Sequence, residues 1–303
     1  MTAGLDKMMS GGIKKMNKNL TQIRLAVDKI EAHLFDENLD LDAITAALGY
    51  SKYHWHRMFT AMTGISVHRY IQRRRISEAA RRLIGTTDPI LTIALDCGYQ
   101  TQRSFARQFK AFYHCSPRTY RQRKVFLPLQ EIVELNEQQP EALRNFEINL
   151  IERPTLQLIG YRTQIRRDFS KIGQCWQRLH RNKLRIANRK DPDFLFGVND
   201  YSDFQLRSHR PSFTYWAAAE VSAEAAIVIG MEKLVLPASR YVVFEYRGRC
   251  EASMQPVMEL IYGSWLASSD CQLNDQARYD FVQYGEQVDS QGLSTIRVWV
   301  PIL

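Results

Sequence analysis

The chain has 303 residues, of which 45% are apolar, a size and composition that suit two globular domains and exclude a disordered polymer. No apolar run approaches the ~18 residues a membrane span needs, and the first dozen residues lack a signal-peptide core, so a cytoplasmic protein without a membrane partner is expected. The net charge of +9 is uneven: residues 1–127 carry 21 Lys and Arg against 10 Asp and Glu, whereas residues 128–303 carry 20 against 22. Basic charge confined to one half points to a polyanionic partner for that half.

In chain order, residues 1–16 read as a flexible start, and helices are predicted near 17–34, 41–48, 52–62, 67–84, 90–96, 102–112 and 117–123. Asp40, Ser51 and Ser66 stand where an N-cap belongs, and Asp88-Pro89 and Ser116-Pro117 put a capping side chain before a proline at the first helical position. Gly49, Gly64 and Gly98 mark helix ends or turns. Residues 126–147 read as a connector with Pro128 and Pro140. From 148 the pattern changes to extended (148–161), helical (170–186), extended (194–198) and extended (213–221), then again extended (231–247), helical (252–267), extended (279–284) and extended (295–301). This is an α+β domain of two successive β-α-β-β units, following an all-α domain over 17–125. Cys97, Cys115, Cys175, Cys250 and Cys271 form no CxxC pair and read as buried thiols, with no disulfide or zinc site.

Two segments of the all-α half are built alike. Ala47-Leu48-Gly49-Tyr50-Ser51 and Asp96-Cys97-Gly98-Tyr99-Gln100 each follow a short apolar helix and precede an amphipathic one, anchored by Trp55 and Phe59 in the first and by Phe105 and Phe109 in the second. Anchors at i and i+4 bury one face. The other face is then left for polar residues: Tyr53, His56 and Arg57 in the first, Gln102, Arg103, Ser104 and Arg107 in the second. Arginine can bond bidentately to guanine and glutamine to adenine, so these residues are candidates for reading a major groove, with Lys52 as a phosphate contact. The linking helix, 67–84, would be ~27 Å long, close to one turn of DNA, so one chain could read two successive grooves at an asymmetric site.

Gly49 to His54, Arg57-Met58-Phe59, Thr63-Gly64, Pro89-Ile90, Ile93-Ala94, Gly98-Tyr99, Ser104-Phe105, Arg107, Phe109-Lys110, Ser116-Pro117 and Tyr120-Arg121 resemble the AraC/XylS family of transcription regulators over residues 20–125. The resemblance implies two helix-turn-helix units that bind double-stranded promoter DNA, recruitment of RNA polymerase, activation of stress or drug-response genes, and a place on the bacterial nucleoid. His114 stands where the family often has Gly, and His56 where similar members carry Gln.

Pro154, Gly160, Tyr241 to Phe244, Gly248, Phe281, Tyr284 and Val298 to Ile302 resemble a GyrI-like effector-binding domain over 148–303. That implies a pocket for a small aromatic or cationic molecule, with Trp216, Glu220, Val282, Tyr284 and Trp299 as candidate lining. Val282 fills a position where drug-binding relatives place Glu, so Glu220 or Glu245 is the candidate counter-charge. A neutral aromatic ligand, a hydrolase, a gyrase-inhibitor-like protein-binding module and a docking surface without ligand are the alternatives for this half. No GxSxG or HExxH motif is present, and no catalytic residue, metal or cofactor is expected.

Overall fold

The computed structural model describes residues 18–36, 39, 41–47, 52–135, 141–165, 169–204 and 212–303. The expected caps at Asp40 and Ser51, the Gly49 turn and the segment before residue 17 lie outside them. Among the described residues of the first half there are seven helices: α1 (Lys18–Ala32), α2 (Leu41–Ala46), α3 (Lys52–Thr63), α4 (Val67–Gly85), α5 (Ile90–Asp96), α6 (Gln102–Tyr113) and α7 (Pro117–Arg123). Their ends obey local chemistry. Ser66 accepts a bond from the Arg69 amide, Thr101 from Ser104 and Ser116 from Thr119, with Pro117 in the first turn of α7. Asp88 does not cap α5. Pro89 itself is the extended N-cap residue, with ψ 141°, and the Asp88 carboxylate turns instead to Arg82 at 3.3 Å.

Two clusters hold these helices. Trp55, Met58 and Phe59 of α3 pack with α1 and α4, whereas Phe105 and Phe109 of α6 pack with Ile76, Ala79, Ala80 and Leu83 farther along α4. Each buried aromatic contributes about 2–3 kcal/mol of apolar burial. Arg74 of α4 grips Glu31 of α1 through Nε and a terminal nitrogen at 2.9 and 2.8 Å. The connector is pinned at its start, where Ser77 Oγ accepts the amides of Leu129 and Gln130, both at 2.9 Å.

The second half is one antiparallel eight-stranded sheet, with strands β1 (Glu147–Arg153), β2 (Leu156–Ile165), β3 (Phe194–Asp200), β4 (Phe213–Glu220), β5 (Glu232–Leu236), β6 (Ser239–Gly248), β7 (Tyr279–Gly285) and β8 (Ser294–Ile302). The sheet order is β1-β6-β8-β7-β3-β4-β2-β5. The stretches 148–161 and 231–247, each expected as one extended run, are both broken into two strands at Pro154 and Pro237, because proline lacks the amide a ladder needs. The repeat is therefore β-β-α-β-β, and the halves exchange first strands: β1 pairs with β6, and β5 pairs with β2. Helix α8 (Ser170–Asn182) lies on the first half. Helix α9 (Gln255–Leu260) runs through a π-helical turn, Ile261–Trp265, into α10 (Leu266–Ser268) on the second. Strand alternation sends Val242, Phe244, Val282, Val298 and Tyr215 to the helix-covered face and Trp216, Tyr241, Phe281 and Trp299 to the other, which packs on itself.

The halves share a core. One apolar cluster contains Leu20 and Ile23 of α1, Trp55 and Phe59 of α3, and Ile261, Tyr262 and Leu266 of the last helix. Asn19 donates to the carbonyls of Leu266 and Cys271 at 2.7 and 3.0 Å, sealing the end of α10. Three cysteines are buried as expected, while Cys250 and Cys271 are only half-buried. Among the described residues no helix is long and apolar enough to cross a membrane.

Candidate nucleic-acid interface and effector cavity

The second reading helix is open. Phe105 and Phe109 are fully buried, which rotates Gln102, Arg103 and Arg107 of α6 to the exposed surface. Ser104 is half-buried and spends its hydroxyl on the Thr101 carbonyl at 2.8 Å, steadying the first turn. Helix α6 ends at His114, which adopts the left-handed conformation at φ 56° and bonds back to Lys110. The turn before α6 is made by Gly98 at φ 78°. His114 thus supplies, at some strain, the geometry that glycine supplies freely.

The first reading helix is not open. Lys52 remains exposed and pairs with Asp42. Tyr53, expected on a free surface, is only 5% exposed. Its ring stacks on Tyr201 with centroids 3.7 Å apart, and its hydroxyl donates to Asp280 at 3.0 Å. Arg57 is ion-paired with Asp280 and donates to Tyr201 Oη at 2.9 Å. Its guanidinium lies 4.2 Å from the Tyr262 ring centre, a cation–π contact. One turn away on the buried side, His54 meets Asp275 at 2.7 Å. The expectation of an exposed polar face on α3 is corrected here. The effector half covers that face, because β7 offers the Asp280 carboxylate and the loop after β3 and the π-helical turn offer Tyr201 and Tyr262, which complement it.

Asp280 is fully buried and is the centre of this arrangement. Asn199 holds its Oδ1 at 2.8 Å, and Tyr262 donates to its Oδ2 at 3.2 Å. Burial opposes the charge of Arg57, but the adjoining Asp280 outweighs it and keeps the guanidinium protonated. Burial likewise raises the Tyr53, Tyr201 and Tyr262 hydroxyls, so all three stay neutral donors. His56 is pushed down to about 4 by burial, so its ring is neutral at pH 7. Close approach of the two halves depends on Gly263 in the π-helical turn: a Cβ there would lie 2.7 Å from the Ala61 carbonyl oxygen of α3.

Beside this contact lies a cavity of about 1080 Å³. Its walls come from both halves: His56, Arg57 and Thr60 of α3; Trp176 of α8; Gly197 and Tyr215 of the sheet; and Tyr201, Phe204 and Met254. Trp176 donates its indole N–H to Tyr215 Oη at 2.8 Å and meets the Tyr284 ring edge-on at 5.2 Å. Of the candidate lining residues, Val282 and Tyr284 face this cavity. Trp216, Glu220 and Trp299 do not. The register pairs Gly197 with Val282 and Ala217, which puts Trp216 on the opposite face with Phe281 and Trp299. Glu220 is neutralised there by Arg153 at 2.8 Å, and Glu245 pairs with Arg297 at 2.6 Å. Asp280, Tyr201 and Tyr262 were not among the residues expected from sequence. The available signal was the charged residue inside Tyr279-Asp280-Phe281, a carboxylate set between two aromatic residues.

Comparison with known proteins agrees with this architecture. Residues 44–123 match a helix-turn-helix domain family, and residues 149–302 match the family of integron-associated effector binding proteins. The right origin-binding protein of Escherichia coli (strain K12) is 30% identical over 247 residues, covering 78% of this chain and 81% of the relative. The transcriptional regulator Rob of Salmonella typhimurium is 28% identical over 246 residues, with the same coverage. A solved structure of SAV2435 bound to tetraphenylphosphonium aligns over 52% of this chain and 94% of its own, at 19% identity and a TM-score of 0.41. The chain belongs to the right origin-binding protein family of AraC-type transcription regulators, a helix-turn-helix region followed by an effector-binding domain.

Proposed function

We propose that this regulator is a cytoplasmic activator that reads an asymmetric promoter site through two successive major grooves and answers a small aromatic effector held in the shared cavity. The observation that carries the DNA reading is the open face of α6, where Gln102, Arg103 and Arg107 stand clear of the core. These are the residue types that bond adenine and guanine edges. Helix α4, 19 residues and so about 28 Å long, links the two reading helices, a length that suits successive grooves one turn of DNA apart. Tyr53, His56 and Arg57 are then the first unit's reading residues, Lys52 meets phosphate, and RNA polymerase is the partner at the promoter.

Selection from a random DNA pool at about 150 mM salt, where nonspecific phosphate binding is suppressed, tests this. The expected product is two unlike short blocks about 10 bp apart, and Arg107→Ala should relax one position by about 1–3 kcal/mol. A palindrome would mean a dimer using one unit per chain, and no enrichment would refute the proposal. For the effector half, the cavity wall of Trp176, Tyr201, Phe204 and Tyr215 supports an aromatic ligand.

A further inference from the structure

A carboxylate buried at the base of two tyrosine rings, with one oxygen already held by an amide, is the chemistry of a cation receptor. Asp280, Asn199, Tyr201 and Tyr262 make such a cage, and the cation in it is the guanidinium of Arg57. That arginine belongs to the helix proposed to read DNA. It also lines the large cavity, while Asp280 and Tyr262 lie behind it. Arg57 therefore stands between the cavity and the cage.

We propose that an organic cation carrying an aromatic group enters the cage from the cavity, displaces Arg57 from Asp280, and so releases the reading face of α3 to DNA. The inference rests on α3 being a reading helix. Charge balance selects the ligand. A buried carboxylate left without a partner costs several kcal/mol, so a neutral molecule that expelled Arg57 would be opposed by Asp280 itself. With a cationic effector every charge is paired in both states: Asp280 with Arg57 when the helix is docked, Asp280 with the effector and Arg57 with the DNA when it is not. The aromatic part answers the second bond that must break. Tyr201 stacks on Tyr53 across the contact, and a ligand ring can take the place of the Tyr53 ring. Release does not require α3 to unfold. The opposite side of the helix stays anchored by Trp55 and Phe59, the latter edge-on to Tyr70 of α4 at 5.5 Å, in the core that α1 and α4 share with the last helix, so only the polar edge of α3 is uncovered. DNA and the sheet thus compete for one face, and by linkage DNA must tighten the binding of the cation by the same factor.

The test uses the full chain, the DNA selected from the random pool, and benzyltrimethylammonium as probe, with neopentylbenzene as its neutral isostere. Affinity for the DNA, read by fluorescence anisotropy, should rise about tenfold at saturating benzyltrimethylammonium and stay unchanged with neopentylbenzene. Tyr201→Ala should give the same tenfold rise without probe and lose the response to it. Asp280→Asn should do likewise, and Tyr201→Ala keeps the test decisive if Asp280→Asn does not fold. Saturable binding of the probe with no change in DNA affinity would overturn the coupling. Equal responses to the cation and its isostere would overturn the charge selection. The underlying assignment fails separately: if Arg57→Ala binds the selected DNA with unchanged affinity and specificity, α3 is not a reading helix, whatever the probe does.

Discussion

Helices α3 and α6 begin from the same plan and end in opposite surroundings. Each comes after a short apolar helix, buries an aromatic pair at i and i+4, and turns tyrosine, glutamine, histidine or arginine to the far side. On α6 that far side meets solvent. On α3 it meets Asp280, Tyr201 and Tyr262 of the other domain. The side chains that suit a base edge, planar and rich in donors, equally suit a buried carboxylate lined with rings. A recognition surface of this composition can therefore be covered by the protein's own second domain, and the motif alone does not say which partner holds it.

The contrast can be broken most forcefully at the arginines. Arg57→Ala leaves Asp280 buried with only neutral donors and should cost about 3 kcal/mol of stability, whereas Arg107→Ala, on an exposed surface, should stay within about 0.5 kcal/mol. Urea denaturation of the two variants measures both, and equal losses would mean that the Arg57–Asp280 pair contributes nothing. Next comes Gly263→Ala. Its methyl would press on backbone of α3, an overpacking that should cost about 1–3 kcal/mol and push the halves apart. Lowered protection of the Ala61 region in hydrogen exchange would register it.

Acidification should act on α3 and spare α6. Because the folded His56 is held near 4 while an unfolded histidine titrates near 6.5, only the unfolded state takes up a proton between those values. Stability should accordingly fall as pH drops through that window, by about 1 kcal/mol at pH 5.5, and His56→Gln should remove this component. The other titratable groups around the cavity, His180, Lys183, Glu251, Glu259 and Glu286, are unchanged in that variant, so the difference between the two pH profiles belongs to His56. The helix ends give the smallest test. Helix α3 is succeeded by Gly64 at φ 72°, whereas α6 ends on His114 at φ 56°. His114→Gly should raise the melting midpoint, by up to about 1 kcal/mol of stability, since of these two helices α6 is the one that carries a side chain through a left-handed turn.

The helices of the first half were legible in the sequence nearly to the residue, because their signals are local. Ser66 caps α4 and Ser116 caps α7, Gly64 and Gly98 turn the chain after α3 and α5, and the aromatic spacing chooses the buried face. The doubled motif and the basic charge likewise carried the family and its DNA-binding class. In the second half, alternation correctly separated two faces of each strand. It could not say which face of β4 shares a side with Val282, since that depends on the register between β3, β4 and β7, set by pairings far apart in sequence. Trp216 and Trp299 therefore read as cavity walls when they are core. Nor could the sequence pair Arg57 with Asp280, which are 223 positions apart. Caps, turns and periodicity are decided within a few residues of chain. Which charges meet in a buried place is decided only when the sheet, its covering helices and the first domain close on one another, and that closure alone determines whether a reading face is offered or held.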